Sequence, residues 1–362
     1  MARDRIIVRV PAALRQVTPR RRGTLVLIWR RLLLTLVLPF ALTSVAVAQS
    51  RQELIEGAKR EGGEFVLYTS LSIGEISRLQ QALEKQHPFL KAKFYRASGE
   101  TVLNKALMEA RAGQILFDVF FNTAFPVHLA QKANLLAPYH SPEALGYPDA
   151  FRHPQGYWTG VYNNCYVVAY NTKLVSPSAA PKRWEDLLHP RWKKQFALDR
   201  EEFEWYGAML SAMGEERGRT FMKALAAQEP LVRKGHTLIA QHLVAGEFPL
   251  ALVYAHRIEE FKQKGAPVEW VTTMDPIIAG MRTIALSVRP KSPNAAKLFI
   301  DFVLSREGQT IFRDMDRIAV RPEIGLSDST FDKSKLKLYP ASPMLADRGE
   351  ALSAEFRQLF IR

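Results

Sequence analysis

Apolar and polar positions along the chain alternate between two periods. Phe65-Val66-Leu67-Tyr68 is a short run of strand-favouring side chains that ends in the hydroxyls Thr69, Ser70 and Ser72. From Ile73 the apolar positions Ile73, Ile76, Leu79 and Leu83 recur at helical spacing. A strand therefore delivers a polar loop to a helix start. In an open α/β sheet such a loop lies at the carboxyl end of its strand, where ligands sit, and the helix start presents free backbone N–H groups. Thr69, Ser70 and Ser72 are candidate ligand contacts; the structural alternative is that Ser72 caps the helix while Thr69 and Ser70 face water.

The rhythm repeats. Residues 92–95 read as a second strand, Ser98-Gly99-Glu100-Thr101 interrupts it, and Val102, Leu103, Ala106, Leu107 and Ala110 follow at helical spacing. Residues 117–121 form a third apolar run, ending in Asn122-Thr123, with Pro126 placed for the first turn of a helix. Strands and helices alternating in this way imply a parallel sheet flanked by helices. Residues 137–160, rich in Pro, Gly, His and aromatics, read as loops, and 161–170 as an extended segment crossing between domains.

A second α/β unit follows, with strands over 196–198, 249–254 and 268–272, and helices over 203–213, 215–227, 237–245 and 256–264. The continuous apolar run 249–254 suits a strand buried on both faces. Residues 275–284 carry the chain back, and helices over 295–304, 306–315 and 346–360 close it. The expected fold is thus α/β, with two units, or lobes, each a mostly parallel sheet flanked by helices. Residues 49–163 begin lobe one, 164–272 form lobe two, and 273–362 return to lobe one with the C-terminal helices.

The first 48 residues have another character. Nine arginines and one aspartate lead into the nearly continuous apolar stretch 32–42 and then Ala46-Val47-Ala48 before Gln49. A charged start, a short apolar middle and a small-x-small end are the pattern of a secretory signal peptide; a retained anchor is the alternative. This segment carries +8 of the formal +14 and leaves +6 to the remaining chain. That remainder shows no arginine stripe with interleaved aromatics, which argues against a nucleic-acid partner. Cys165 is the single cysteine, so an exported chain has no internal disulfide and must be held by its core, in which Cys165 reads as a small buried hydrophobe. No cysteine stands at the signal junction, which argues against a lipid anchor and for a periplasmic location.

Several stretches, in order, resemble the ferric-iron branch of the periplasmic solute-binding proteins of ABC transporters, the type II two-lobed class. They include Ser98-Gly99-Glu100, Phe117-Asp118-Val119-Phe120, Ala133-Asn134-Leu135-Leu136, Val168-Ala169-Tyr170-Asn171-Thr172, Trp184-Glu185-Asp186-Leu187 and Ser305-Arg306-Glu307-Gly308-Gln309. The resemblance implies two α/β lobes joined by extended crossovers, a small-molecule solute clamped between them and delivered to a membrane permease, no cofactor, and a monomer. Iron-binding relatives use adjacent tyrosines after the strand equivalent to 249–253. Here the stretch reads Tyr254-Ala255-His256-Arg257, the loop from Thr69 to Ser72 has no histidine, and Asn122 stands where an acid would serve.

Ferric iron is a hard cation that takes phenolate and carboxylate oxygens, so this substitution pattern points elsewhere. Hydroxyls, helix N-termini, Asn122, Thr123, Asn163, Asn164, Arg257 and Arg200 suit a small organic anion. Tyr254 and His256 add hydrogen bonds, the latter with a pH-dependent charge. Asp199, at a strand-to-helix turn, is either a ligand contact or a cap. Arg257 has a surface salt bridge as its plain alternative, and Trp205 and Tyr206 read as core packing or cleft edge. The expected contacts are therefore Thr69, Ser70, Ser72, Ser98, Gly99, Glu100, Asn122, Thr123, Asn163, Asp199, Tyr254, His256 and Arg257. A rearranged iron site of Tyr254, His256 and Glu100 is the alternative, and an enzyme the remote one, since no hydrolase, phosphate-loop or dinucleotide motif is present. Binding is expected to close one lobe on the other, with the permease reading the closed shape.

Overall fold

A computed structural model describes residues 50–324 and 336–361; the signal-peptide reading falls outside these residues. Helix α1 (Arg51–Arg60) opens on a capping box in which the Ser50 hydroxyl accepts the Glu53 N–H and the Glu53 carboxylate accepts the Ser50 N–H. There follow β1 (Glu64–Thr69), α2 (Ile73–Gln86), β2 (Lys91–Arg96), α3 (Gly99–Arg111), β3 (Val119–Thr123), α4 (Ala124–Lys132) and the short β4 (Leu136–Ala137). Ser72 and Glu75 make a second capping box at the start of α2. The buried positions Ile76, Leu79 and Leu83 are the stripe that the periodicity predicts.

The long strand β5 (Thr159–Asn171) then leads to β6 (Phe196–Asp199), α5 (Phe203–Met213), α6 (Glu215–Ala227), β7 (Leu231–Arg233), α7 (His236–Ala245), β8 (Leu250–Tyr254), α8 (Ala255–Gln263) and β9 (Val268–Trp270). A second long strand, β10 (Ile277–Ser287), precedes α9 (Pro293–Leu304), α10 (Arg306–Arg313), β11 (Ile318–Ala319), β12 (Leu338–Pro340) and α11 (Gly349–Phe360).

Two lobes share these long strands. In the first, β2, β1 and β3 are parallel neighbours, β10 lies antiparallel beside β3, and β5 antiparallel beside β10. In the second, β7, β6 and β8 are parallel and β8 runs antiparallel to β5. Each sheet is thus parallel at its outer strands and antiparallel where the crossovers enter it. Strand β5 changes sheet between Cys165, opposite Ala279, and Tyr166, opposite Tyr254.

The first lobe buries Phe65, Phe299, Phe302 and Phe312 on one face of its sheet and Phe117, Phe120 and Val102 on the other. The second is centred on Trp184, Trp205, Tyr206 and Phe196. Trp205 and Tyr206 are fully buried core side chains, and Cys165 is buried too. Helices α9 and α10 return to the first lobe, but α11 packs on α5 and α6 of the second. Its buried stripe of Leu352, Phe356 and Phe360 faces them, with the Phe356 ring 5.4 Å from that of Phe203. The C-terminal segment is therefore divided between the lobes. Among the described residues no helix is long and apolar enough to cross a membrane.

Candidate functional site

The carboxyl ends of β1, β2, β3, β6, β7 and β8 converge on one cleft of about 870 Å³, lined from the first lobe by Ser70, Arg96, Ser98 and Thr123 and from the second by Asp199, Glu204, His236, Tyr254 and Arg257. Four helices begin at this cleft. The N-cap residues of α3, α4, α7 and α8 are Ser98, Thr123, Gly235 and Tyr254, and none makes a side-chain capping hydrogen bond. Orphan N–H groups at helix starts favour negative charge.

One wall of the cleft is cationic. Arg96 leaves the end of β2, Arg257 the first turn of α8, and Arg282 the middle of β10. Behind them Glu75 is buried and accepts hydrogen bonds from Arg257 Nη2 at 3.0 Å, Arg317 Nε at 3.2 Å and the Tyr162 hydroxyl at 2.9 Å. Burial works to raise the Glu75 carboxyl, but Arg317 and Arg257 hold it well below the usual range. Glu75 thus meets the charge of Arg317 and shares Arg257 with Glu260, whose carboxylate accepts from Arg257 Nη1 at 3.2 Å, while Arg96 and Arg282 have other partners. Arg96 Nε donates to the Leu71 carbonyl at 3.0 Å. Arg282 Nη1 donates to Ser70 Oγ at 2.5 Å, and Ser70 donates on to Asn122 Oδ1 at 2.5 Å. Arg282 Nε and Asn122 Nδ2 are buried without a hydrogen-bond partner.

His256 sits beside this cluster. Burial, with Arg317 and Arg257 next to it, pushes its imidazole well below its ordinary value, so it is neutral across the physiological range. The expected pH-dependent charge at this position is therefore corrected: cationic neighbours oppose a further proton.

The facing wall is acidic. Asp199 accepts the Glu201 N–H at 3.0 Å and the Gly235 N–H at 2.7 Å, tying the end of β6 to the start of α7, and burial raises it to about 7. Glu204 accepts the Tyr166 hydroxyl at 2.9 Å and is also raised by burial to about 7. Glu202 lies behind them, raised by burial and by Asp199. The Tyr254 ring packs 3.7 Å from the His236 ring, and burial lowers His236 to about 3. Across the cleft Glu201 accepts hydrogen bonds from Ser98 Oγ at 2.7 Å and the Glu100 N–H at 3.2 Å.

Of the residues expected from sequence, Ser70, Ser98, Gly99, Glu100, Thr123, Asp199, Tyr254, His256 and Arg257 line this cleft. Four do not. Thr69 is fully buried, donating to the Phe121 carbonyl at 2.7 Å and accepting the Leu71 N–H at 3.0 Å, so its hydroxyl belongs to the sheet. Ser72 is used as the α2 cap, and Asn163 lies mid-strand in β5 opposite Met281 and Ile318. Asn122 stands behind Ser70. Arg257 is half of a buried pair, not a surface one. In the alternative metal set, Glu100 turns to the guanidinium of Arg357. The sequence reading passed over Arg96, Arg282, Tyr166, Glu204 and His236. A signal for Arg282 was present: it is the single charged residue in the apolar run Ile277–Ser287.

Two lobes, crossover strands and a polar cleft at the strand ends define a periplasmic-binding-protein fold, and solved structures agree. Iron-bound HitA from Pseudomonas aeruginosa is 18% identical, with a TM-score of 0.73 over 82% of this chain and 99% of its own. The periplasmic binding protein AfuA from Actinobacillus pleuropneumoniae, with fructose-6-phosphate bound, is 22% identical, with a TM-score of 0.74 over 82% of this chain and 98% of its own. A Haemophilus influenzae protein described as uncharacterized is 26% identical over 301 residues, 78% of this chain and 86% of its own. The family described as bacterial extracellular solute-binding protein matches residues 115–337. The chain belongs to this family, whose members in ABC transporters deliver a solute to a membrane permease.

Proposed function

We propose that this protein is the periplasmic solute-binding component of an ABC importer and that its solute is a small organic anion with a phosphomonoester head. Arg96 and Arg282 converging on the cleft with no carboxylate partner is the observation that carries this reading. Arg257 is matched by Glu75 and Glu260, and the charge of Arg96 and Arg282 calls for a ligand of about −2, which a phosphomonoester supplies with three acceptor oxygens. The uncapped starts of α4 and α8 add N–H donors. The Thr123 hydroxyl completes the donor set, and Ser70, donating to Asn122, holds Arg282 in place. Binding both walls would favour the closed arrangement that a permease recognises.

The iron reading has less support. Glu100 is engaged by Arg357, and His256 is flanked by Arg257 and Arg317, whose charge repels a trivalent cation. Isothermal titration of the purified mature protein with fructose 6-phosphate, fructose and ferric citrate tests the choice. Binding of the phosphate ester alone is expected. Binding of ferric citrate with no response to any phosphate ester would overturn it.

A further inference from the structure

The wall opposite the arginines is their electrical inverse. Asp199, Glu201 and Glu204 line the cleft and Glu202 is buried behind them. Lys234, which acts on Asp199, has its Nζ hydrogen-bonded to Thr101 Oγ1 at 3.2 Å, and burial holds His236 neutral. Asp199 spends both oxygens on backbone N–H groups, and Glu201 spends both on Ser98 and Glu100. Glu204 and Glu202 remain.

A second observation marks the same place. Asn164 is 1% exposed, and both its amide oxygen and its amide nitrogen lack a hydrogen-bond partner. It stands directly opposite Gly280 in the β5/β10 ladder, so the two share one face of the sheet. A Cβ on Gly280 would lie 2.3 Å from Glu204 Oε2 and 3.0 Å from the Tyr166 ring. Asn164 therefore stands beside Glu204. Glu202 Oε1 is likewise buried without a hydrogen bond, with His236 Nε2 3.4 Å away.

Resting on the phosphomonoester reading, we propose that the solute is amphoteric: besides its anionic head it carries a protonated amine, received by Glu204 with Asn164 and the ring of Tyr166 beside it. An ammonium has donors and no acceptor, which fits a wall of carboxylates, an amide oxygen and aromatic faces. It also offsets the mutual repulsion of the carboxylates, which a neutral hydroxyl leaves in place. A bare metal ion is a poorer occupant, since no group of three His, Cys, Asp or Glu among the described residues is arranged to hold one.

Matched probes decide it. Isothermal titration with glucosamine 6-phosphate against glucose 6-phosphate, and O-phosphoethanolamine against glycol phosphate, changes an amine for a hydroxyl at constant head group. The amine member is expected to bind about tenfold tighter in at least one pair, and Glu204→Gln to bring that ratio toward one. Equal binding, tighter binding of the hydroxyl member, or a ratio that survives in a folded Glu204→Gln protein would overturn the proposal. The wild-type ratio decides alone if the variant does not fold. A third pair, 4-aminobutyrate against 4-hydroxybutyrate, separates the two readings. Preference for the amine there, without binding of any phosphate, would retain the amphoteric solute and remove the phosphate; no binding in any pair would remove both.

Discussion

Arg257 Nη2 lies 3.0 Å from Glu75 Oε2, joining the first turn of α8 in the second lobe to the first turn of α2 in the first. The contact buries a charge pair at the base of the cleft, and the same carboxylate takes Arg317 Nη2 at 2.8 Å. The two lobes thus meet through a side chain that also lines the solute cleft.

Removing Glu75 takes from the buried Arg317 its carboxylate partner and leaves Arg257 with Glu260. Glu75→Gln is expected to destabilise the fold by about 3–5 kcal/mol, the cost of breaking a buried pair from one side. Arg257→Ala should cost less stability, because Arg317 and Tyr162 still serve Glu75, yet it should weaken phosphate-ester binding more than tenfold, by about 2 kcal/mol. Thermal unfolding and titration of the two variants check the contrast; equal stability losses would contradict it.

Thr69 and Ser70 are neighbours with different duties. Thr69→Val removes a buried hydroxyl that serves Phe121 and Leu71, and should cost about 1–3 kcal/mol of stability while leaving the Kd for a phosphate ester nearly unchanged. Ser70→Ala frees Arg282 Nη1 and leaves Asn122 Oδ1 with the Thr123 N–H, and should weaken binding with a smaller loss of stability. A binding defect in Thr69→Val with an unaltered Tm would reverse the assignment.

The buried carboxyls give stability a pH dependence of mixed sign. Asp199 and Glu204, ordinarily at 3.8 and 4.5, stand at about 7. A carboxyl raised on folding contributes stability that is fully present below its unfolded value and is lost as pH rises through its folded value, so this pair loses stability from roughly pH 4 to pH 7. Glu75 has the opposite sign: held well below 4.5, it stabilises above that value and loses its contribution as the pH falls through its folded one. Glu204→Gln should therefore gain on the order of 1–3 kcal/mol over the wild type at about pH 8 and lose that advantage near pH 4. Melting curves at the two pH values measure it, and a gain independent of pH would mean that Glu204 is ionised throughout.

Gly280 leaves room for the acidic wall. A methyl there meets Glu204 Oε2 and the Tyr166 ring, so Gly280→Ala must displace them. A loss of about 1–3 kcal/mol is expected, together with weaker solute binding, because overpacking displaces the groups that line the site. Gly62, which has no neighbour within 4 Å but a φ of +84°, is the control: alanine there would strain the backbone and leave the cleft alone.

Short-range order was legible in the chain. The α2 stripe of Ile76, Leu79 and Leu83, the polar residues after β1, β2 and β3, the buried run of β8 and the extended crossover of β5 follow from periods of 3.6 and 2 and from residue chemistry at strand ends. These suffice for two α/β lobes with a polar cleft. Which hydroxyl lines the cleft was not legible, since Thr69 and Ser70 differ by one residue and a strand turns successive side chains to opposite sides. The charge pattern was equally hidden. Glu75 meets Arg257 across 182 residues and Arg317 across 242, and Glu204 faces Tyr166 from another element. Local sequence sets the backbone path because the hydrogen bonds and apolar stripes of helices and strands are near neighbours along the chain. The cationic and acidic walls exist only where β5 and β10 bring distant side chains out of water together, and burial there decides which charges are matched and which await a ligand.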